Sequence, residues 1–386
     1  MLDRLHLRRF KCFEELTLPT APLTLLTGFN AAGKSTSLQP ALLLAQTFRV
    51  GRDAVELPLN GELVRLGTPS EVLDERGDRT GRSFVIGAGL GEADARWQLS
   101  ADARGFDAIL PIQHVEFASP DGTKRLPHAA HADVPKDGAA IVDALREVVF
   151  LSAVRNGTPD AFPAREAIDP VHADVGVQGE YAAWWFERAM EDEVDRRRLH
   201  PGEQAITLRR QVNAWMSELF PGADANAARL DRTSLIRLEL RTRITEAYRR
   251  PANIGYGLTY AFPIVVAALL AKEGQTIIVD SPEAHLHPRG QSAMGRLLST
   301  FAASGVQFLV ESHSDHVLNG VRRAVQSETI RPEHVAIHFF QPRSDEARAA
   351  AQVTSPDIDA AGNLSEWPEG FFDQSEQDLA RLAGWA

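Results

Sequence analysis

Gly28-Phe29-Asn30-Ala31-Ala32-Gly33-Lys34-Ser35 is the stretch on which the fold of this chain turns. It satisfies GxxxxGK[ST] in full, the pattern of a loop that wraps phosphate. The apolar run Leu23-Thr24-Leu25-Leu26-Thr27 precedes it and reads as a strand, and an apolar helix is expected from Ser35 to Phe48. Strand, glycine loop and helix in that order aim backbone N–H groups and a helix N-terminus at one anion. Lys34 would bring a point charge to the outer phosphates, and the Ser35 hydroxyl would ligate Mg²⁺. Asn30, Gly33 and Thr36 belong to the same turn, so the expected ligand is ATP with its Mg²⁺ ion.

A second apolar strand, Thr276-Ile277-Ile278-Val279-Asp280, ends in a carboxylate. Asp280 would hold the Mg²⁺ through water, opposite Ser35. Downstream, Phe308-Leu309-Val310-Glu311-Ser312-His313-Ser314 reads as another strand followed by a histidine. Between Asn253 and Tyr260 a glycine-rich stretch leads into an apolar helix. Gly255 and Gly257 there suit close backbone approach to phosphate, and Thr259 offers a hydroxyl. A plain turn ahead of a core helix is the competing reading.

Taken together, the chain resembles the ABC ATPase superfamily in its RecF, SMC and OLD-nuclease branch. More narrowly it is similar to bacterial AAA-type ATPases that carry a C-terminal domain of unknown function. The likeness rests on GFNAAGKST at Gly28, NIGYGLTYAFPIV at Asn253, DSPEAHLHPRGQS at Asp280, ESHSDHVLNGVRR at Glu311 and WPEGFFDQ at Trp367. It implies an α/β, ABC-type P-loop ATPase head with two lobes, a mixed sheet plus an antiparallel sheet, and a short helical insertion. It also implies a switch role for His313 at the γ-phosphate and a signature role, by position, for Asn253 to Tyr260. The sequence there is not LSGGQ.

One departure bears on chemistry. Ser281 stands where the resemblance expects the catalytic glutamate, and serine at its ordinary pKa is no base for water. Glu283 is the expected substitute, with Asp280 and His313 as the other catalytic candidates, and His285 or His287 as alternatives for orienting the water. His287 falls where a dimer-contact aspartate would lie. Slow hydrolysis is therefore expected. A metal site on His285 and His287 lacks a third ligand and is rejected. Arg155 has counterparts in the related ATPases and would touch phosphate, partner or a carboxylate of its own lobe. The stretch GVQGEY at Gly176 also fits the family, with no chemical role assigned. Gln46 and Gln113 are both weak candidates for the Mg²⁺-sensing glutamine.

The resemblance further implies a homodimer that sandwiches two ATP molecules. With so short an insertion, the switch would move a separate effector protein, a nuclease or toxin, in anti-phage defence or DNA surveillance. The alternative is a RecF-like repair ATPase that binds DNA directly; a transporter ATPase and a self-contained nuclease rank below both.

Composition sets outer limits. The net charge of −11 argues against a nucleic-acid coat, although Arg188 to Arg250 holds 13 Arg, no Lys and 10 acidic residues. A solvated helical surface accounts for that stretch better than a dedicated basic face. One cysteine, Cys12, excludes an internal disulfide and suits a reducing, cytoplasmic setting. No apolar run of about 18 residues and no secretion signal are present, so no membrane span is expected. The expected divisions are an N-terminal ATPase lobe over 1–159, a helical insertion over 160–232, a C-terminal lobe over 233–345 and a family tail over 346–386. An exposed loop is expected from Pro120 to Gly138. Trp367, Phe371, Phe372 and Trp385 make the tail too aromatic for a disordered end.

Overall fold

The computed structural model describes residues 1–74, 82–101, 108–127, 134–166, 170–342, 352–368, 370, 379 and 381–383. Phe371, Phe372 and Trp385 of the expected aromatic tail lie outside the described residues. In chain order, β1 (Arg4–Phe10), β2 (Phe13–Pro19) and β3 (Leu23–Gly28) lead into α1 (Lys34–Val50), β4 (Glu56–Pro58) and α2 (Pro69–Val72). Next come β5 (Ser83–Leu90), β6 (Ala93–Ser100), β7 (Ile109–Ser119), β8 (Gly122–Leu126), α3 (Lys136–Arg146), β9 (Val149–Leu151) and β10 (Phe162–Pro163). The helices α4 (Ala182–Ala189) and α5 (Leu208–Leu219) precede β11 (Asp224–Arg229), β12 (Leu235–Arg241), α6 (Tyr256–Leu270) and β13 (Thr276–Asp280). The described fold continues with α7 (Pro288–Ala303), β14 (Gln307–Glu311), α8 (Asp315–Gln326), β15 (Val335–Phe340) and β16 (Val353–Thr354).

The six-stranded sheet that carries the phosphate loop runs β16-β15-β3-β14-β13-β9, parallel except for β16 at the edge. Strand β14 thus separates the phosphate-loop strand from the strand that ends in Asp280. Period-two alternation sends Leu25, Ile277, Val279, Phe308, Val310 and Ile337 into one core, with α6 and α7. Leu26, Ile278, Leu309 and Phe340 point into a second core under the first lobe, with α1 and α3. That lobe is antiparallel, in the order β2-β1-β5-β6-β7-β4 with β8 beside β7. This is the two-lobed P-loop head, a parallel layer joined to an antiparallel one. Among the described residues no helix is long and apolar enough to cross a membrane.

Three local expectations change. The loop expected from Pro120 to Gly138 contains β8, which pairs β7 through Val115 and Leu126, and the start of α3. The segment 160–232 is not purely helical: β10 and β11 pair β12, so a hairpin crosses 232/233. Its Asp-Ala-Asn-Ala-Ala-Arg strand alternates small residues with polar ones, too weak a pattern to read as β. The helical reading of the insertion breaks again at Ala189, where α4 stops. A short 3₁₀ turn, Arg196–Arg198, then delivers the buried Arg198 guanidinium to the carbonyls of Ala268, Leu269 and Ala271. These are the last carbonyls of α6, which lack helical partners, and a cation suits that helix end.

Several arginines of the rich stretch form ion pairs with carboxylates of the same chain, mostly at the surface, in keeping with the solvated-surface reading. Arg197 pairs Asp195 and Glu273, Arg210 pairs Glu203, Arg229 reaches Glu187, and Arg241 pairs Asp224.

Candidate nucleotide site

Gly33 and Gly28 have φ of 105° and 121°, and Ala31 also lies at positive φ, which curls the loop as an anion cradle requires. Gly33 is doubly constrained, because a Cβ there would sit 2.6 Å from Phe13 and 2.8 Å from Cys12 Sγ. The β1–β2 turn therefore braces the loop from outside. Cys12 is half-buried, and burial pushes its thiol pKa up while Gln352 and Thr36 hydrogen-bond it. Gln352 Nε2 also donates to Ala32 O at 3.1 Å. A side chain of the C-terminal tail thus holds the loop backbone, and Phe29 packs on Phe339 and against Gly370. Asn30 is exposed, Thr36 half-buried.

Lys34 is 4% exposed, and its ammonium donates to Phe29 O at 2.7 Å and Gly28 O at 3.1 Å. Burial lowers its pKa, and the nearby Glu311 and Asp280 oppose that shift. Ser35, at the exposed mouth of the helix, hydrogen-bonds the Glu311 carboxylate. Glu311 is buried, and burial raises its pKa, reinforced by the Asp280 and Glu283 charges and countered by Ser35 and Lys34. Sequence reading gave Glu311 no role. The detectable signal was a carboxylate at the end of an otherwise apolar strand two residues before His313, but only the strand order brings it beside the phosphate loop.

Asp280 shares a hydrogen bond with Ser281, whose Oγ donates to Asp280 Oδ1 at 2.9 Å. Ser281 has φ of 50°, a left-handed turn that a non-glycine residue adopts at some cost. Glu283 accepts from His313 N at 2.7 Å and from Ser312 Oγ at 2.9 Å, so both its oxygens hold the backbone that carries His313. His313 lies at the surface, and partial burial, with the Lys34 charge, lowers its imidazole pKa. Lys34, Ser35, Asp280, Glu283, Glu311 and His313 therefore form one cluster, linked by hydrogen bonds and by mutual electrostatics. The hydroxyl and carboxylates of Ser35 and Asp280 are hard oxygen donors, the set that fits Mg²⁺.

The signature-like residues occupy a different surface. Gly255 begins α6 at φ 110°, and nothing lies within 4 Å of a Cβ built on it. Tyr256 beside it is 51% exposed. Gly257 faces inward, because its Cβ would meet His285 O at 2.7 Å and the Phe220 ring at 3.0 Å. Thr259 is buried, and its hydroxyl donates to Tyr256 O at 2.9 Å. Of the three residues expected to face phosphate, the backbone at Gly255 alone is open, while Gly257 and Thr259 serve packing and the first helical turn.

Arg155 is not spent on a carboxylate of its own lobe: its guanidinium reaches across to backbone of the C-terminal lobe. It is 3% exposed, donates to the carbonyls of Asp280 and Ser281, and lies over the Tyr260 ring at 5.7 Å. Burial lowers its pKa to about 10, against the attraction of Asp280 and Glu283, and the guanidinium stays charged at neutral pH. The GVQGEY stretch gains a role here. Ser152 N donates to Val177 O and Asn156 N to Gln178 O, both at 2.8 Å, which clamps the backbone on either side of Arg155. His285 packs on Tyr256 and Tyr260, and His287 caps α7 through Nδ1 and Arg289 N. Among the described residues no group of three or more His, Cys, Asp or Glu is arranged to hold a metal. Gln46 hydrogen-bonds Pro58 O and Val64 N, and Gln113 is exposed on β7.

Residues 188–319 match a family model described as "AAA domain, putative AbiEii toxin, Type IV TA system", and residues 330–382 match "Protein of unknown function (DUF3696)". An OLD nuclease of Thermus scotoductus is 23% identical over 339 residues, covering 81% of this chain. The match takes in 59% of that relative's length. An SMC head bound to the C-winged helix domain of ScpA superposes with a TM-score of 0.48 at 13% identity, covering 93% of this chain and 98% of its own. The SMC head domain from Thermotoga maritima gives 0.43 at 12% identity, covering 93% of this chain and 99% of its own. In its motifs and matching regions the chain is similar to the ABC-type AAA ATPases of the RecF, SMC and OLD branch, with the AAA-domain match over residues 188–319 and the DUF3696 match over residues 330–382.

Proposed function

We propose that the chain is a cytosolic ATP-operated switch: two copies close over two ATP molecules, and the closed pair gates a separate nuclease or toxin in anti-phage defence or DNA surveillance. The observation that carries this reading is the outward start of α6. Gly255 and Tyr256 are exposed with open space before them, while the phosphate-loop pocket of the same chain is built from other residues. A helix N-terminus with unpaired N–H groups suits a phosphate supplied from a second copy. The AbiEii-type match and the OLD nuclease relative support the defence setting.

In this reading Lys34 and the loop N–H groups bind the phosphates, and Ser35 with Asp280 holds Mg²⁺. When bound, that ion would neutralise charge on the outer phosphate oxygens. His313, at the surface, is available to hydrogen-bond the terminal phosphate. Glu283 holds His313 through its backbone and so acts on the chemistry by position. Ser281 supplies no base, and Glu283 is engaged elsewhere, which is why hydrolysis would be slow; a missing general base is worth about 10²–10⁴ in rate. ATP then closes the pair by binding across both chains, and hydrolysis or release opens it.

The test is light scattering of the chain with and without Mg-ATP, alongside phosphate release, for the wild type and Lys34→Ala. ATP-driven dimerisation with slow release, both lost in the variant, is the expected outcome. Fast release with no change of assembly would overturn the composite site.

A further inference from the structure

Strand β14 lies between the phosphate-loop strand and the Asp280 strand, and it ends in Glu311, a carboxylate to which the sequence motifs assign no role. Glu311 registers with Leu26 of β3 on one side and with Asp280 of β13 on the other. The Glu311 and Asp280 backbones therefore stand side by side at the sheet edge that faces the loop. Glu311 is 6% exposed, and its carboxylate takes the hydroxyl of Ser35. A carboxylate buried to this degree is costly unless a cation compensates it. The two cations at hand are directed elsewhere: the Lys34 ammonium onto the Phe29 and Gly28 carbonyls, the Arg155 guanidinium onto the carbonyls of Asp280 and Ser281. Asp280, Glu283 and Glu311 thus concentrate negative charge where polyanionic ATP must bind, and such charges repel strongly in a partly dry pocket.

Resting on the ATP-site reading above, we propose that Glu311 is a second acidic group of the Mg²⁺ shell. It acts with Asp280 and Ser35 and makes nucleotide binding by this chain depend steeply on the metal. All three donors are hard oxygens of the kind Mg²⁺ selects. The coupling is reciprocal: the group that favours the ion also disfavours ATP arriving without it.

The experiment is calorimetric titration of the full chain with ATP, in Mg²⁺ and in EDTA, for the wild type and Glu311→Gln. Glutamine keeps the shape and removes the charge. The wild type should bind far more weakly in EDTA, and the ratio of the two dissociation constants should shrink by about 10- to 100-fold in Glu311→Gln. Much of that change should come from tighter binding of metal-free ATP. An unchanged ratio in a folded Glu311→Gln overturns the role of Glu311 and leaves the ATP site standing. The wild-type ratio tests the inference without a variant, since a ratio below about fivefold overturns it. Failure of the wild type to bind ATP even with Mg²⁺ overturns the ATP-site reading, and this inference with it.

Discussion

The phosphate-loop pocket and the start of α6 are both glycine-bearing helix N-termini, yet the fold finishes only the first. Around Gly33, side chains arrive from the β1–β2 turn, from β13 and β14 and from the C-terminal tail: Phe13, Cys12, Asp280, Glu311 and Gln352. Before Gly255 there is open space, and Tyr256 stands half exposed. One helix start is a filled pocket and the other a presented edge. In the proposed two-fold pair these would be the two half-sites, the pocket of one copy meeting the edge of the other. Arg155 joins them within the chain, with its guanidinium on the Asp280 and Ser281 carbonyls and its face on Tyr260 of α6.

The largest effect is expected at that joint. Arg155→Ala strands two buried carbonyls and removes a desolvated cation from the Tyr260 face, a loss of about 3 kcal/mol in urea unfolding. Arg155→Lys should recover only part of this, because a single ammonium cannot reproduce the fork. Full stability in Arg155→Ala would mean that the pocket and the α6 edge are not mechanically joined.

Tyr256→Ala tests the presented edge. Loss of an exposed aromatic anchor should weaken ATP-driven dimerisation by about 2 kcal/mol, roughly 30-fold, while ATP binding by the single chain is unchanged. Equal losses of both would put Tyr256 in the pocket of its own chain and collapse the contrast.

Glu283→Gln sharpens the pocket side. As a residue that positions His313, its change should reduce phosphate release and ATP-driven closure together, by about tenfold each. A drop of about 100-fold or more in release alone would make Glu283 the general base after all.

The smallest effect concerns the frame that joins the tail to the sheet. His338 on β15 donates through Nε2 to Pro19 O and accepts at Nδ1 from Ser355 Oγ, so the folded state holds it neutral. Burial lowers its pKa from the ordinary 6.5, with the Pro19 carbonyl opposing. The unfolded chain then takes up this proton first as pH falls below about 6.5, so the contribution is complete above that pH and is lost on acidification. The slope cannot exceed about 1.4 kcal/mol per pH unit, and His338→Gln should flatten it in thermal melts between pH 7 and 5.

Reading the sequence succeeded where chemistry and local order coincide. The loop from Gly28 to Ser35 and the strand ending at Asp280 both lie where pattern and spacing put them. It fell short where a side chain's use depends on distant residues. Thr259 looked like a free hydroxyl and is occupied by Tyr256 O; Gly257 looked like a phosphate contact and makes room for His285 O and Phe220. Arg155 looked available for phosphate and is buried on backbone. The strand Asp224–Arg229 has almost no periodic signal of its own and owes its place to pairing with β12.

By itself, then, the sequence determined the phosphate-loop pattern, the apolar strand that ends at Asp280 and the serine that follows it. Each of these is written in contiguous residues whose backbone geometry is local. The tertiary structure alone decided that Glu311 joins Asp280 at the pocket, that the C-terminal tail holds the loop through Gln352, and that α6 begins at an open face. Those outcomes follow from strand order and from packing between residues tens to hundreds apart in the chain. Burial and partner choice are properties of the assembled core and have no local signature.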